Sequence, residues 1–330
     1  MTLPAFDLYI PKNLDDALSF YTENLDATKI IAGGTDIVPS LKQKLFEPKF
    51  LLDLKAIPEL HGIHEEANGS VRIGAMTTIS EIARSPFLRR EFPVLSSAAA
   101  TVAGPCLRNV GTLGGNICLD TRCYWYNQSY FWRQSCGFCI KKDGTLCHVA
   151  PGSKTCWAVY SGDTAAALLT LNGSLLIASA DGQRSVSVSD FFVNDGAVRN
   201  RLNPGEILVE VHIPSEARGY AGHYEKFRLR GSVDYPLAGV AVALKKNGSH
   251  KGAGRLPALE DLRVALTAVN PLPILLSDPL RELRADSVAG LQKLAKRTAK
   301  PLKTSASTME YRRYMIEFMI KKAMEKLTND

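Results

Sequence analysis

At 330 residues, with 45% hydrophobic and 22% charged positions, the chain is long enough for two or three compact parts, and its composition excludes a disordered polymer or a fibrous repeat. Its net charge of +7 comes from Lys and Arg scattered along the chain rather than massed in a block, which points to a solvated surface and away from a nucleic-acid-binding face. No run of about eighteen apolar residues occurs, and the start, MTLPAFDLYIPKNLDDAL, lacks a basic stretch followed by an apolar one; no membrane association is expected, and a cytoplasmic location is.

The stretch from Phe6 to about Leu54 reads as a small α/β unit. A helix enters after Asn13, and two strand-like runs, TKIIAGGTDI and KFLLDL, enclose another helical stretch. A strand near Val71 to Ile73 follows, then a helix at TTISEIARSP capped by Thr78 or Ser80, then an apolar helical run, PVLSSAAATVAG. Further on, AAALLTLNGSLLIASADGQRSVSVSDFF is broken at Asn172-Gly173 and Asp181-Gly182, which predicts a meander of antiparallel strands. GEILVEVHIP is a strand closed by Pro214. After the Gly-rich SEARGYAGH come three strand candidates, HYEKFRLR, LAGVAVALKKNGSH and LRVALTAV, and then helices from about Asp286. The last helix is expected to open on a Ser307/Glu310 capping box and to turn Tyr311, Tyr314, Met315, Phe318 and Met319 toward the core.

Two glycine-rich turns stand out. IIAGGTDIVPSLK puts Gly33 and Gly34 between a β-branched run and a helical pattern, where the backbone can approach a ligand and N–H groups form a concavity for phosphate oxygens. RNVGTLGGNIC repeats the device with Gly111, Gly114 and Gly115 beside Thr112 and Asn116, whose side chains can donate to phosphate or ribose. Neither is a G-x-G-x-x-G fingerprint, so a Rossmann site does not follow. Together they suggest a dinucleotide whose pyrophosphate is held by backbone from both sides.

Six of the seven cysteines lie between Cys118 and Cys156, in a stretch rich in Trp and Tyr. An odd total without evidence of an oxidising compartment argues against a disulfide framework and toward metal ligation. Only Cys136 and Cys139 form a C-x-x-C pair; the other spacings are wide, and spacing alone leaves a structural zinc and an iron-sulfur cluster equally open.

AGGTD near the start, RNVGTLGGN, GEIL and YEKFRLR together resemble, over almost the whole chain, the FAD-binding subunit of the xanthine dehydrogenase family of molybdenum hydroxylases. The resemblance implies an α+β architecture: a two-part vanillyl-alcohol-oxidase-type FAD-binding domain, at 1–56 and 57–217, followed by a small α+β domain at 218–330. It places FAD against Ile30, Ile31, Ala32, Gly33, Gly34, Thr35, Asp36 and Ile37 on one side and Thr112, Leu113, Gly114, Gly115 and Asn116 on the other. Asp163, Leu208 and Lys226 fall on its cofactor positions, although without it Lys226 would read as a solvated edge lysine.

Relative to that family, residues 121–160 are an insertion. It is similar to the 4Fe-4S insertion of 4-hydroxybenzoyl-CoA reductase β subunits, which implies Cys123, Cys139, Cys147 and Cys156 as cluster ligands and leaves Cys118 and Cys106 outside, with Cys136, which the C-x-x-C spacing would have chosen, as the spare candidate. The implied role is electron transfer from ferredoxin toward a 2Fe-2S subunit and a molybdenum-cofactor subunit, which carries the catalytic residues. Two alternatives are the flavin subunit of an NAD-linked xanthine or carbon monoxide dehydrogenase with a structural insertion, and a zinc-stabilised adaptor.

Overall fold

Short apolar runs punctuated by Gly, Pro and Asn build three sheets rather than one. The structure, a computed structural model, describes residues 2–246, 259–304 and 307–329. Strands β1 (Asp7–Tyr9), β2 (Thr28–Ile31) and β3 (Phe50–Asp53) form a parallel sheet in the order β1-β3-β2. Parallel neighbours need crossovers, supplied by helix Leu14–Glu23, capped by the Asn13 side chain, and by helix Ile37–Lys42.

The second sheet contains β4 (Ile63–Glu65), β5 (Val71–Gly74), β6 (Ser174–Ser179), β7 (Gly182–Ser187) and β8 (Ile207–Ile213) in the order β4-β5-β8-β6-β7, with every pairing antiparallel. β8 enters between β5 and β6, and the meander expected over 165–192 is reduced to the β6–β7 hairpin. Asp181-Gly182 does turn the β6–β7 hairpin, but Asn172-Gly173 instead ends a helix, Thr164–Thr170, with Asn172 at φ +52°. A fully buried helix shows no amphipathic period, so a short apolar run reads as helix or strand alike. Helices Ile79–Arg84, opened by a Thr78/Glu81 capping box, Pro93–Thr101 and Thr164–Thr170 bury Leu95, Ala98 and Leu168 with Ile73 and Val211 of the sheet in one core.

The third sheet is antiparallel, with β9 (Ala221–Phe227), β10 (Ala238–Lys246), β11 (Leu259–Thr267) and β12 (Ile274–Leu275) in the order β12-β11-β10-β9. The end of the candidate LAGVAVALKKNGSH, Asn247 to His250, lies outside the described residues. Helices Pro279–Thr298 and Met309–Asn329 cover this sheet through a core that includes Val240, Leu266, Leu291, Ile316 and Ile320. The first starts at Pro279 rather than Asp286, with Asp278 accepting from the Arg281 N–H, and is broken at Asp286 and Ser287, where its pattern restarts.

Two expectations for the last helix need correction. The hydroxyl that accepts from its first turn is that of Thr308, from the Tyr311 N–H at 3.2 Å, rather than that of Ser307. Met319 is buried, but Tyr311, Tyr314 and Phe318 are exposed, because the buried face is set by Arg312, Ile316, Ile320 and Ala323. The Arg312 guanidinium is fully buried and donates to the carbonyls of Leu237 (2.8 Å), Leu302 (3.0 Å) and Ala268, locking the helix onto the connections around the sheet. Among the described residues no helix is long and apolar enough to cross a membrane.

Arg312→Leu keeps an aliphatic side chain but leaves the carbonyls of Leu237, Leu302 and Ala268 without a charged donor. At 1–3 kcal/mol for a stranded buried group, the expected loss of unfolding free energy is about 3 kcal/mol or more. Urea denaturation checks it, and a loss below about 1 kcal/mol would show the donors to be dispensable.

Candidate functional site

The first glycine turn leaves β2 at Ile31 and enters helix Ile37–Lys42. Inside it, the Val38 and Ser40 N–H groups bond back to the carbonyls of Gly34 and Asp36, but the N–H groups of Gly33, Gly34, Thr35, Asp36 and Ile37 reach no acceptor among the described residues. Gly34 sits at φ +74°, a conformation that costs glycine nothing and lets successive N–H groups converge. Ile30, Ile31, Ala32 and Ile37 around the turn are only half-buried. Five adjacent unspent donors with apolar flanks match the pyrophosphate and carbon chain of a dinucleotide.

The second turn packs against the first: a Cβ on Gly33 would collide with the Val110 carbonyl, and one on Gly115 would lie 3.8 Å from the Ala32 Cβ. Of its own backbone donors only the Thr112 N–H reaches no acceptor among the described residues. The N–H groups of Leu113 and Gly114 bond the carbonyls of Thr77 (2.9 Å) and Ala75 (2.7 Å), and that of Gly115 bonds Thr112 Oγ1 (3.1 Å). Asn116 Oδ1 caps helix Thr164–Thr170 by accepting from the Thr164 N–H (3.1 Å) and hydroxyl (2.7 Å), so only its amide N–H2 stays without a partner among the described residues. Backbone donors expected from both sides therefore come mainly from the first turn; the second presents the Gly114–Gly115 backbone, the Thr112 N–H and the Asn116 amide.

Asp163 and Lys226 meet at 2.9 Å, each with a side chain only 3% exposed. Lys226 is thus buried, not a solvated edge lysine. The Tyr224 hydroxyl donates to Asp163 at 2.7 Å, and Lys226 also donates to the Thr101 carbonyl at 3.1 Å, so the pair joins β9 to the helices on the second sheet. Burial pushes the Asp163 carboxyl up and the Lys226 ammonium down, each held back by the other's charge. Leu208 is buried in β8, in the same core as Leu113 and Ile117.

Asp36 does not cap its own helix. Its Oδ1 accepts from Arg122 at 3.2 Å and from the Tyr235 hydroxyl at 2.7 Å, and the Arg122 guanidinium lies 4.0 Å over the Tyr235 ring. Burial raises the Asp36 pKa, against the pull of Arg122 and Tyr235. These partners lie far away in sequence, and nothing in the local pattern marks them.

Arg122 is also the neck of the insertion, where its backbone exchanges two hydrogen bonds with Val159 at 2.7 and 2.8 Å. Beyond the neck, Cys123, Cys139, Cys147 and Cys156 are all buried and line one small cavity. Cys136 is half-buried and does not line it. Cys123 and Cys156 pack on Leu45 and Phe46, just beyond the helix that leaves the first glycine turn. Burial pushes the Cys123 thiol up to about 12 and the Cys156 thiol to about 11, so both are neutral until a metal displaces the proton. The Ala158 N–H donates to Cys156 Sγ at 3.4 Å.

The aromatics of the insertion hold this pocket together with His148, Lys141 and Arg133, which the sequence reading passed over. The Trp125 ring stacks on that of His148 at 4.4 Å, and both line the cavity. Lys141, also in the lining, reaches Asp120 at 2.8 Å and lies 4.5 Å from the centre of the Tyr126 ring. Arg133 is fully buried and donates to Asp143 (3.3 Å) and to the Lys44 carbonyl (3.0 Å), fastening the insertion to the first part of the chain.

A glycine turn with a row of unspent N–H groups, faced by a second glycine turn, defines a dinucleotide-binding chain of the FAD-domain class. Residues 4–216 match the family described as the FAD binding domain in molybdopterin dehydrogenase. The chain belongs to that family: it is an FAD-binding oxidoreductase subunit of the molybdenum hydroxylases. It is 27% identical to the carbon monoxide dehydrogenase medium chain of Afipia carboxidovorans, over 98% of this chain and 96% of that one. It is 30% identical to the nicotine 6-hydroxylase medium subunit of Paenarthrobacter nicotinovorans, over 81% of this chain and 75% of that one. The solved carbon monoxide dehydrogenase from Hydrogenophaga pseudoflava, in a form lacking the Mo-pyranopterin moiety of its molybdenum cofactor, superposes with a TM-score of 0.78 at 26% identity, covering 99% of this chain and 98% of that one.

Gly33→Ala pushes the two turns apart and is expected to lower FAD occupancy at least about tenfold with the far-ultraviolet circular dichroism unchanged; normal flavin absorbance would contradict the cradle. Lys226→Met strands a buried carboxylate and should cost about 3–5 kcal/mol, part of which Asp163→Asn in the same chain recovers. Urea curves of the single and double variants test this, and simply additive losses would show that the two side chains do not act as a pair.

Proposed function

We propose that this chain is the flavin- and cluster-carrying electron-transfer subunit of a molybdenum enzyme of the 4-hydroxybenzoyl-CoA reductase type, a complex that reductively removes the para-hydroxyl of its thioester substrate in anaerobic aromatic degradation. The observation that carries the reading is the convergence of Cys123, Cys139, Cys147 and Cys156 on one buried cavity next to the segment that follows the first glycine turn. A single zinc ion held by the same thiols is the alternative that metal and sulfide analysis separates.

In this reading the N–H groups of Gly33 to Ile37 hold the pyrophosphate, while Ile30, Ile31, Ala32 and the wall from Thr112 to Asn116 border the rest of the dinucleotide. Lys226, oriented by Asp163, and Leu208 lie toward the flavin. When bound, FAD exchanges one or two electrons and the cluster one. Trp125, Tyr126 and His148 exclude water from the thiols, and the Ala158 N–H on Cys156 Sγ and the Lys141 charge favour the reduced state of whatever the thiolates bind. The three sheets support the division at 1–56, 57–217 and 218–330. The partners are a molybdenum-cofactor subunit and a 2Fe-2S subunit, a role consistent with the relatives' description as medium chains. The net charge of +7 suits an acidic ferredoxin as electron donor.

Reduced ferredoxin is expected to reduce the FAD of the isolated chain anaerobically, more slowly as salt rises. Cys139→Ser or Cys147→Ser should slow that reduction at least about tenfold at unchanged FAD content, and Cys136→Ser should not. Brisk reduction by NADH, indifferent to all three variants, would favour the NAD-linked alternative.

A further inference from the structure

A second cavity, of about 680 Å3, opens between the far end of the insertion and the C-terminal helices; Ser153, Trp157, Arg297, Lys300, Leu302 and Arg313 line it. None of the glycine-turn residues or the four buried thiols borders it. Three cationic side chains face this space and no carboxylate does. On the same helix, Lys293 and Lys296 pair with Asp286 and Glu317, whereas Arg297, Lys300 and Arg313 pair with no carboxylate among the described residues. The Arg313 Nε is buried without a hydrogen-bond partner. A buried guanidinium N–H without an acceptor is expensive, and neighbouring like charges add to the cost, so the arrangement is explained if an anion enters.

The anion's shape is limited by the aromatic part of the lining. Trp157 is half-buried and its Nε1 donates to Ser153 Oγ at 2.8 Å, which fixes the ring as a flat apolar wall. A volume of about 680 Å3 falls in the range of small-molecule sites and far exceeds what one phosphate needs. Guanidinium groups and an ammonium beside a fixed indole are the chemistry that recognises phosphate oxygens attached to a planar ring. We propose that this cavity binds a nucleotide, its phosphates on Arg297, Lys300 and Arg313 and its base against Trp157. Because Cys156 lies between Thr155 and Trp157, occupancy would brace the end of the insertion that carries this thiol.

The test uses the full chain saturated with FAD, so that the flavin site is closed to the probe, and titrates ADP, inorganic pyrophosphate and adenosine by calorimetry. ADP should bind more tightly than pyrophosphate, adenosine at least about tenfold more weakly than ADP, and ADP affinity should fall between about 50 and 200 mM salt. Arg297→Gln and Lys300→Gln, both at exposed positions where the fold tolerates change, should each weaken ADP about tenfold. Trp157→Leu should weaken ADP and spare pyrophosphate. Absence of ADP binding at millimolar concentration, or affinity unchanged in both Gln variants, would overturn the site. ADP binding no tighter than pyrophosphate would overturn the nucleotide assignment.

Discussion

The Asp36 carboxylate is the point on which the site turns. A carboxylate at the start of a helix ordinarily folds back onto that helix's own N–H groups. Here Arg122 and Tyr235 hold it instead, so the negative charge that would repel a phosphate at the free donors of the turn is neutralised by a guanidinium. The same contact fixes the insertion neck and the β9–β10 connection to the turn, so three parts of the chain share one frame.

That frame gives the insertion its physical logic. A loop of this length would lose a large conformational entropy on ordering, offset here by the two backbone bonds at Arg122 and Val159, the Arg133 anchor and the aromatic packing of Trp125 and His148. Burying thiols without a metal gains little, and the upward shifts of Cys123 and Cys156 keep those two protonated. In the proposed reading a bound metal centre would supply the missing stabilisation, since thiolate ligation and loop order would then be gained together.

What could be read in advance was local. Asn13, Thr78 and Asp181-Gly182 act through neighbours a few residues away, and the glycine turns and thiol spacing declare themselves in the same way. What escaped depends on tertiary partners. Nothing around Arg312 signals that three distant carbonyls await it, and once it is buried it rotates the last helix so that Tyr311, Tyr314 and Phe318 face out. The Asn116 amide looked like a ligand donor, yet its oxygen caps a helix that an apolar run alone could not distinguish from a strand. Lys226 had the look of an ordinary surface lysine until the fold set Asp163 beside it.

The central claim is that the buried thiols of the insertion hold iron and sulfide next to the flavin. Electron paramagnetic resonance of the chain purified without oxygen and reduced with dithionite, with iron, acid-labile sulfide, zinc and flavin determined on the same sample, tests it most directly. The account predicts a fast-relaxing signal of a reduced 4Fe-4S centre with about four irons and four sulfides per FAD. A silent spectrum with stoichiometric zinc and no sulfide would contradict it.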